Sequence, residues 1–179
     1  MVRGDVLVLF GVLIIALVSM PIYAVTSPGR DDPLDVEDRG SFVFGGFVRG
    51  WFYWFLQPVE RLSLGLRISP TAFNLMGVFF GVAAGYLFAT GRVNLGGWAV
   101  LMGGSADVLD GRIARAQGLE GPRGAFLDST LDRFAEVGAF VGLAVYFQDS
   151  VLAIVIVVMA LSGSPVSYTH LTLPTILLV

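Results

Sequence analysis

Apolar runs of about the length needed to cross a bilayer constrain this chain more than any other feature. Residues 5–25 read DVLVLFGVLIIALVSMPIYAV, and further apolar stretches occupy 70–90, 94–116, 124–147 and 150–166. A transmembrane helix needs about 20 mostly apolar residues. With 55% hydrophobic residues against 14% charged ones, and a mean hydropathy of +0.79, the composition falls outside that of an ordinary soluble domain. The chain reads as an all-α, polytopic membrane helix bundle.

The segments between the runs refine this reading. A cleaved signal peptide competes for the first run, but only Arg3 is basic ahead of it and no small-residue cleavage site follows. Residues 1–26 are therefore read as an extra N-terminal transmembrane helix, followed over 27–46 by an acidic loop rich in Gly and Pro (SPGRDDPLDVEDRGS). Residues 42–69 mix aromatics with Arg49, Arg61 and Arg67. This pattern predicts an interfacial helix lying along the membrane, broken or kinked near Pro58, with Trp51, Tyr53 and Trp54 at headgroup level and arginines reaching lipid phosphates. Small residues such as Gly77, Gly81, Ala84, Gly85, Gly97 and Gly103 recur in the later runs, which lets helices approach closely in lipid. Counting arginines places the loops 26–69 and 117–123 in the cytoplasm of a prokaryotic cell membrane, with Arg3 and Arg92 outside.

The chain has no cysteine, which excludes disulfides and thiolate metal sites, and its only histidine is His170. Nothing in its charge pattern suggests a nucleic-acid partner.

Against this apolar background stands GGSADVLDGRIARAQGLEGPRGAFLDSTLDR, residues 103–133. Asp107, Asp110, Gly111, Ala114 and Arg115 fall at helical spacing on one face, and Asp128 and Asp132 lie one turn apart on the next helix. The connection 117–123 is short, so the two helices are antiparallel neighbours and their acids reach similar depth. Any one aspartate alone is better explained as a helix cap or an interfacial polar group. Two helix-spaced pairs on adjacent helices are harder to explain so. A charge at the bilayer centre costs about 2.5–3.5 kcal/mol, and four carboxylates repel one another, so a cation is needed to neutralise them. Oxygen ligands without cysteine or nearby histidine suit two Mg²⁺ or Mn²⁺ ions rather than zinc or copper. A metal pair of that kind serves phosphoryl chemistry. Gly111 leaves room for a flat substrate group, Gly121 and Gly124 allow a sharp turn around Pro122, and Arg112, Arg115 and Arg123 supply positive charge to a phosphate pocket. Glu136, one turn past Asp132, either extends the acid stripe or faces a water-filled vestibule.

These residues resemble the signature of the CDP-alcohol phosphotransferases, Asp-x-x-Asp-Gly-x-x-Ala-Arg, eight residues, Gly, three residues, Asp, three residues, Asp, with every spacing kept. The resemblance implies a core of six membrane helices, of which residues 47–165 would carry the interfacial helix and four spans. It implies that Asp107, Asp110, Asp128 and Asp132 hold the metals, that Asp132 is also the base on the acceptor hydroxyl, and that Gly111, Ala114, Arg115 and Gly124 shape the CDP-donor site. The partners implied are a CDP-activated lipid donor, a small alcohol or phosphoalcohol acceptor, surrounding membrane lipids and a second subunit in a homodimer. The stretch GAFLDSTLDR is similar to members that use inositol phosphate, with glycerol phosphate still open. The family pattern near the start of the core often has Pro-Asn where this chain has Pro70-Thr71.

Residues 166–179 (VSYTHLTLPTILLV) look like translated sequencing-adapter read-through, and the expectation is a truncated core with a non-native tail. A divalent-cation or proton-coupled transporter is the competing class, since intramembrane acids also mark ion pathways, and an inactive fragment is the third reading. A transporter places its acids near the midplane, whereas these lie near one end of their helices beside arginines.

Overall fold

A computed structural model describes residues 4–26 and 43–162 of the chain. The tail from residue 166, with His170, and the acidic loop up to residue 42 lie outside the described residues. The described residues form six helices: α1 (Gly4–Thr26), α2 (Val43–Gly65), α3 (Pro70–Ala89), α4 (Val93–Gln117), α5 (Pro122–Tyr146) and α6 (Val151–Ser162). No strand occurs among the described residues, as the all-α reading expects.

Three connections share one stop signal. Ile68 N–H donates to the Ser63 carbonyl, Arg92 to Leu87 and Leu119 to Ala114, each spanning five residues and each accompanied by a left-handed residue, Arg67, Gly91 or Gly118. This is the Schellman closure, which satisfies carbonyls that the helix end leaves open. The turn between α4 and α5 therefore depends on Gly118, with φ 63°, and not on Gly121 or Gly124, which do not have positive φ. Starts are as well marked. Pro70 and Pro122 occupy the first positions of α3 and α5, where proline loses no helical hydrogen bond.

Only α3, among the described residues, is both long and apolar enough to count as a membrane crossing by composition. The expected spans are present as helices, but α4 and α5, 25 residues each, carry the aspartates and arginines that lower their hydropathy. The apolar stretches Ile14–Thr26 and Val151–Ser162 are shorter than a crossing. Large apolar side chains nevertheless face outward along these helices, including Phe79, Phe134, Leu152 and Met159. Water does not favour so much exposed apolar surface, whereas lipid tails do.

The described residues fall into two compact units, the first built from 4–26, 43–74 and 105–128, the second from 75–104 and 129–162. In the first unit α1 packs on α2: Trp51 Nε1 donates to Ser19 Oγ at 3.0 Å, and Tyr23 packs against Phe47 and Trp54. The α2 aromatics thus serve as packing groups between helices as well as broad apolar side chains. Helix α2 also runs unbroken through Pro58. Of the break or kink expected near Pro58 the break is absent, and Leu56, Glu60 and Ser63, on one face around the proline, are all buried. Leu56 joins Phe73, Ala106, Leu109 and Ile113 in the core of the unit, which fixes α2, the start of α3 and the second half of α4 together.

In the second unit Ala84, Phe88 and Ala99 form the core. Helices α3 and α5 meet there backbone to backbone. A methyl added at Gly81 would strike Ala135, one at Gly85 would strike Gly138, and one at Gly142 would strike Gly85. Close approach of this kind replaces the hydrophobic drive that lipid does not supply.

Candidate metal centre

The first unit holds the acidic cluster. On α4 the core residues Ala106, Leu109 and Ile113 lie on one side, and Asp107, Asp110, Gly111 and Ala114 on the other. The same heptad-like spacing that buries the apolar face thus aims the acids away from it. Asp128, in the second turn of α5, completes the group: one carboxylate oxygen from each of Asp107, Asp110 and Asp128 lies within 4.8 Å of the others. Asp110 is only 4% exposed, Asp128 is half-buried and Asp107 is exposed. Three anionic groups this close, one of them out of solvent, repel each other unless a cation sits among them.

A pocket of about 330 Å³ opens beside the cluster, lined by three segments of the first unit. The start of α3 contributes Ser69, Pro70, Thr71 and Asn74; the end of α4 contributes Asp110, Gly111, Ala114 and Arg115; the turn and start of α5 contribute Gly121, Gly124, Ala125 and Asp128. The starts of α3 and α5 therefore border it, and the positive end of a helix dipole favours an anion. Asn74 Nδ2 donates to Asp128 Oδ1 at 3.2 Å, while Asn74 Oδ1 is buried with no hydrogen-bond partner. Arg115 Nε is likewise buried without a partner. An orphaned acceptor and an orphaned donor in one pocket wall fit a ligand that brings both a cation and an anion.

Of the residues predicted for the donor site, Gly111, Ala114, Arg115 and Gly124 all line this pocket. An added methyl at Gly121 or Gly124 would meet nothing within 4 Å, and one at Gly111 would meet only the Arg115 guanidinium at 3.6 Å. Packing does not demand glycine at these three places, where an added methyl would meet open space or the end of one flexible side chain. Two of the three arginines expected there are elsewhere. Arg112 turns to α2, where its Nε donates to Glu60 Oε2 at 2.8 Å, and Arg123 is exposed and not among the lining residues. Arg112 departs because it lies two residues past Asp110, about 200° around the helix and so on its opposite face. Asp132 is on α5 one turn beyond Asp128, within the second unit, where Glu136 accepts a hydrogen bond from Arg133 at 2.6 Å. Sequence reasoning passed over Asn74 and Glu60. For Asn74 the signal available was a lone amide inside an apolar stretch, four past Pro70, whereas Glu60 sits beside Arg61 and near Gln57 and carries no such mark.

The CDP-alcohol phosphatidyltransferase family pattern matches residues 67–173, more than half of the 179-residue chain. The chain belongs to this family. The family is one of integral membrane proteins that use divalent cations, in keeping with the apolar α3 and the three clustered aspartates. Similar proteins include the phosphatidylinositol phosphate synthases of Streptomyces avermitilis, 33% identical over 73% of this chain and 55% of that protein, and of Cutibacterium acnes, 34% identical over 56% and 49%. The archaetidylinositol phosphate synthase of Pyrococcus horikoshii is 35% identical over 49% of this chain and 48% of its own. The chain spans about half the length of these curated relatives. The family match covers α3, α4, α5 and every lining residue of the pocket, whereas α1 and all of α2 precede it.

Proposed function

We propose that the protein is an integral membrane transferase of phospholipid biosynthesis, moving a phosphatidyl-type group from a CDP-activated lipid to an alcohol with release of CMP. The observation that carries this reading is the cluster of three carboxylates, two of which, Asp110 and Asp128, line the same pocket as Arg115 with its buried, unpartnered Nε. Carboxylates alone suit a bare cation; carboxylates beside an arginine and two helix N-termini suit a cation carrying a diphosphate.

Asp107, Asp110 and Asp128 would hold Mg²⁺ or Mn²⁺, with Asn74 orienting Asp128 through its amide. Bound there, the cations would neutralise charge developing on the phosphate oxygens. Arg115 and the N–H groups at the starts of α3 and α5 bind the diphosphate, and Gly111, Ala114 and Gly124 leave room for the nucleotide. Asp132, assigned from the signature spacing, takes the proton of the acceptor hydroxyl. The hydroxyl oxygen forms its bond to the lipid-bearing phosphorus, the bond from that phosphorus to the CMP phosphate oxygen breaks, and CMP leaves with the electron pair. Positioning and electrostatics supply most of such catalysis.

The names of the relatives support inositol phosphate as the acceptor, with glycerol phosphate as the comparison. The arginine distribution supports a site open to the cytoplasm. Membranes containing the protein, given CDP-diacylglycerol, Mg²⁺ or Mn²⁺ and each labelled acceptor, should release CMP with one of them. CMP release with none, while the chelated and metal-loaded samples behave alike, would refute the assignment.

A further inference from the structure

Glu60 and Arg112 form a buried ion pair that the chemistry above does not use. The two side chains are 7% and 4% exposed, Nε to Oε2 is 2.8 Å, and the Arg112 guanidinium also lies over the Tyr53 ring at 4.5 Å from its centroid. Both Tyr53 and Glu60 are on α2, outside the family match, and Arg112 follows Asp110 and Gly111 directly. Near the pair, Ala106, Leu109 and Ile113 of α4 share an apolar core with Leu56 of α2 and Phe73, and Val108 packs against it.

We propose that Glu60 and Arg112 are positioning residues that fix the rotation and axial register of α4, and through it the aim of Asp107 and Asp110. The inference rests on the reading of those acids as cation ligands. Apolar side chains pack with little directional preference, so a core of Leu, Ile, Ala and Phe tolerates small sliding and rotation of a helix. A slip of one residue displaces α4 by about 1.5 Å and turns it by about 100°. Ligands must hold their geometry to about 0.5 Å and 10–20°. A planar guanidinium held by a carboxylate on one side and an aromatic face below it has one low-energy arrangement. Its place almost opposite Asp110 on the helix makes it a lever on the acid face. Stability by itself does not call for this pair, since a buried ion pair can be exchanged for matched apolar residues with little loss or some gain. Its contribution is direction.

That argument selects the decisive variant. The double substitution Glu60→Leu/Arg112→Met keeps the volume apolar and leaves no buried charge unpaired, so its thermal midpoint should equal or exceed that of the parent protein. Its Mn²⁺ affinity in detergent, measured by electron paramagnetic resonance of free Mn²⁺, should nevertheless fall at least tenfold, with kcat falling more than the donor KM rises. Glu60→Gln keeps shape and an acceptor oxygen and should fall in between, while the swap Glu60→Arg/Arg112→Glu should recover part of the affinity. A double variant that is folded and binds Mn²⁺ within twofold of the parent overturns the positioning role and leaves the metal reading standing. If it does not fold, the same criterion passes to Glu60→Gln. Parent protein that binds no Mn²⁺, or binds it no better than Asp110→Asn, overturns the metal reading and the inference with it.

Discussion

Gly124 offers a perturbation in which stability and function should move in opposite directions. A methyl at this position meets no atom within 4 Å, and the residue lies in the first turn of α5 with ordinary helical backbone. Replacing glycine by alanine gains up to about 1 kcal/mol in a helix interior and about 0.5 kcal/mol at a helix end. For a chain of this size about 1 kcal/mol moves the midpoint by roughly 2–4 °C, so Gly124→Ala should raise it by about 1–2 °C. The added methyl has about the volume of one water, roughly 30 Å³, and takes around a tenth of the pocket of about 330 Å³. If the nucleotide passes over this backbone, overpacking costs about 1–3 kcal/mol, a rise in donor KM of about 5- to 150-fold. Midpoints by scanning fluorimetry in detergent and donor titrations of CMP release measure the two effects. A variant with a raised midpoint and a donor KM within twofold of the parent would show that the donor does not use this wall.

Gly142→Ala makes the opposite case, since its methyl strikes the Gly85 backbone, and the midpoint should fall by about 2–12 °C in the same assay. Asp110→Asn removes a buried carboxylate from beside two others, so in chelator it should melt at or above the parent; Mn²⁺ should then raise the midpoint of the parent and leave the variant unmoved. Asn74→Ala deletes the donor to Asp128 and should weaken Mn²⁺ binding about 10- to 100-fold with little change in helicity by circular dichroism. Ile113→Ala empties a fully buried position in the core that backs the acids and should cost about 2–5 kcal/mol, visible as a lower midpoint with or without metal.

Helix positions were legible in the sequence because an apolar run and its punctuation are local. The expected run at 94–116 is α4 at Val93–Gln117, and that at 124–147 is α5 at Pro122–Tyr146. Periodicity also placed Asp107, Asp110, Gly111 and Ala114 on one face, since side-chain direction follows from 3.6 residues per turn. The same periodicity, applied to Arg112, would have sent it away from the pocket, and grouping all nearby arginines by charge missed that.

What the sequence by itself determined is therefore the order of helices, the apolar character of the chain, and the spacing that puts acids and glycines on common faces. Each of these depends only on a residue and its near neighbours along the chain. Tertiary structure alone decided which polar groups meet across distance: Asn74 on Asp128, Arg112 on Glu60, and Arg115 left with a buried, unshared Nε. It also decided that Gly118 carries the turn while Gly121 and Gly124 keep space open. A side chain's partner depends on the packing of helices far apart in sequence, and no local periodicity contains that information.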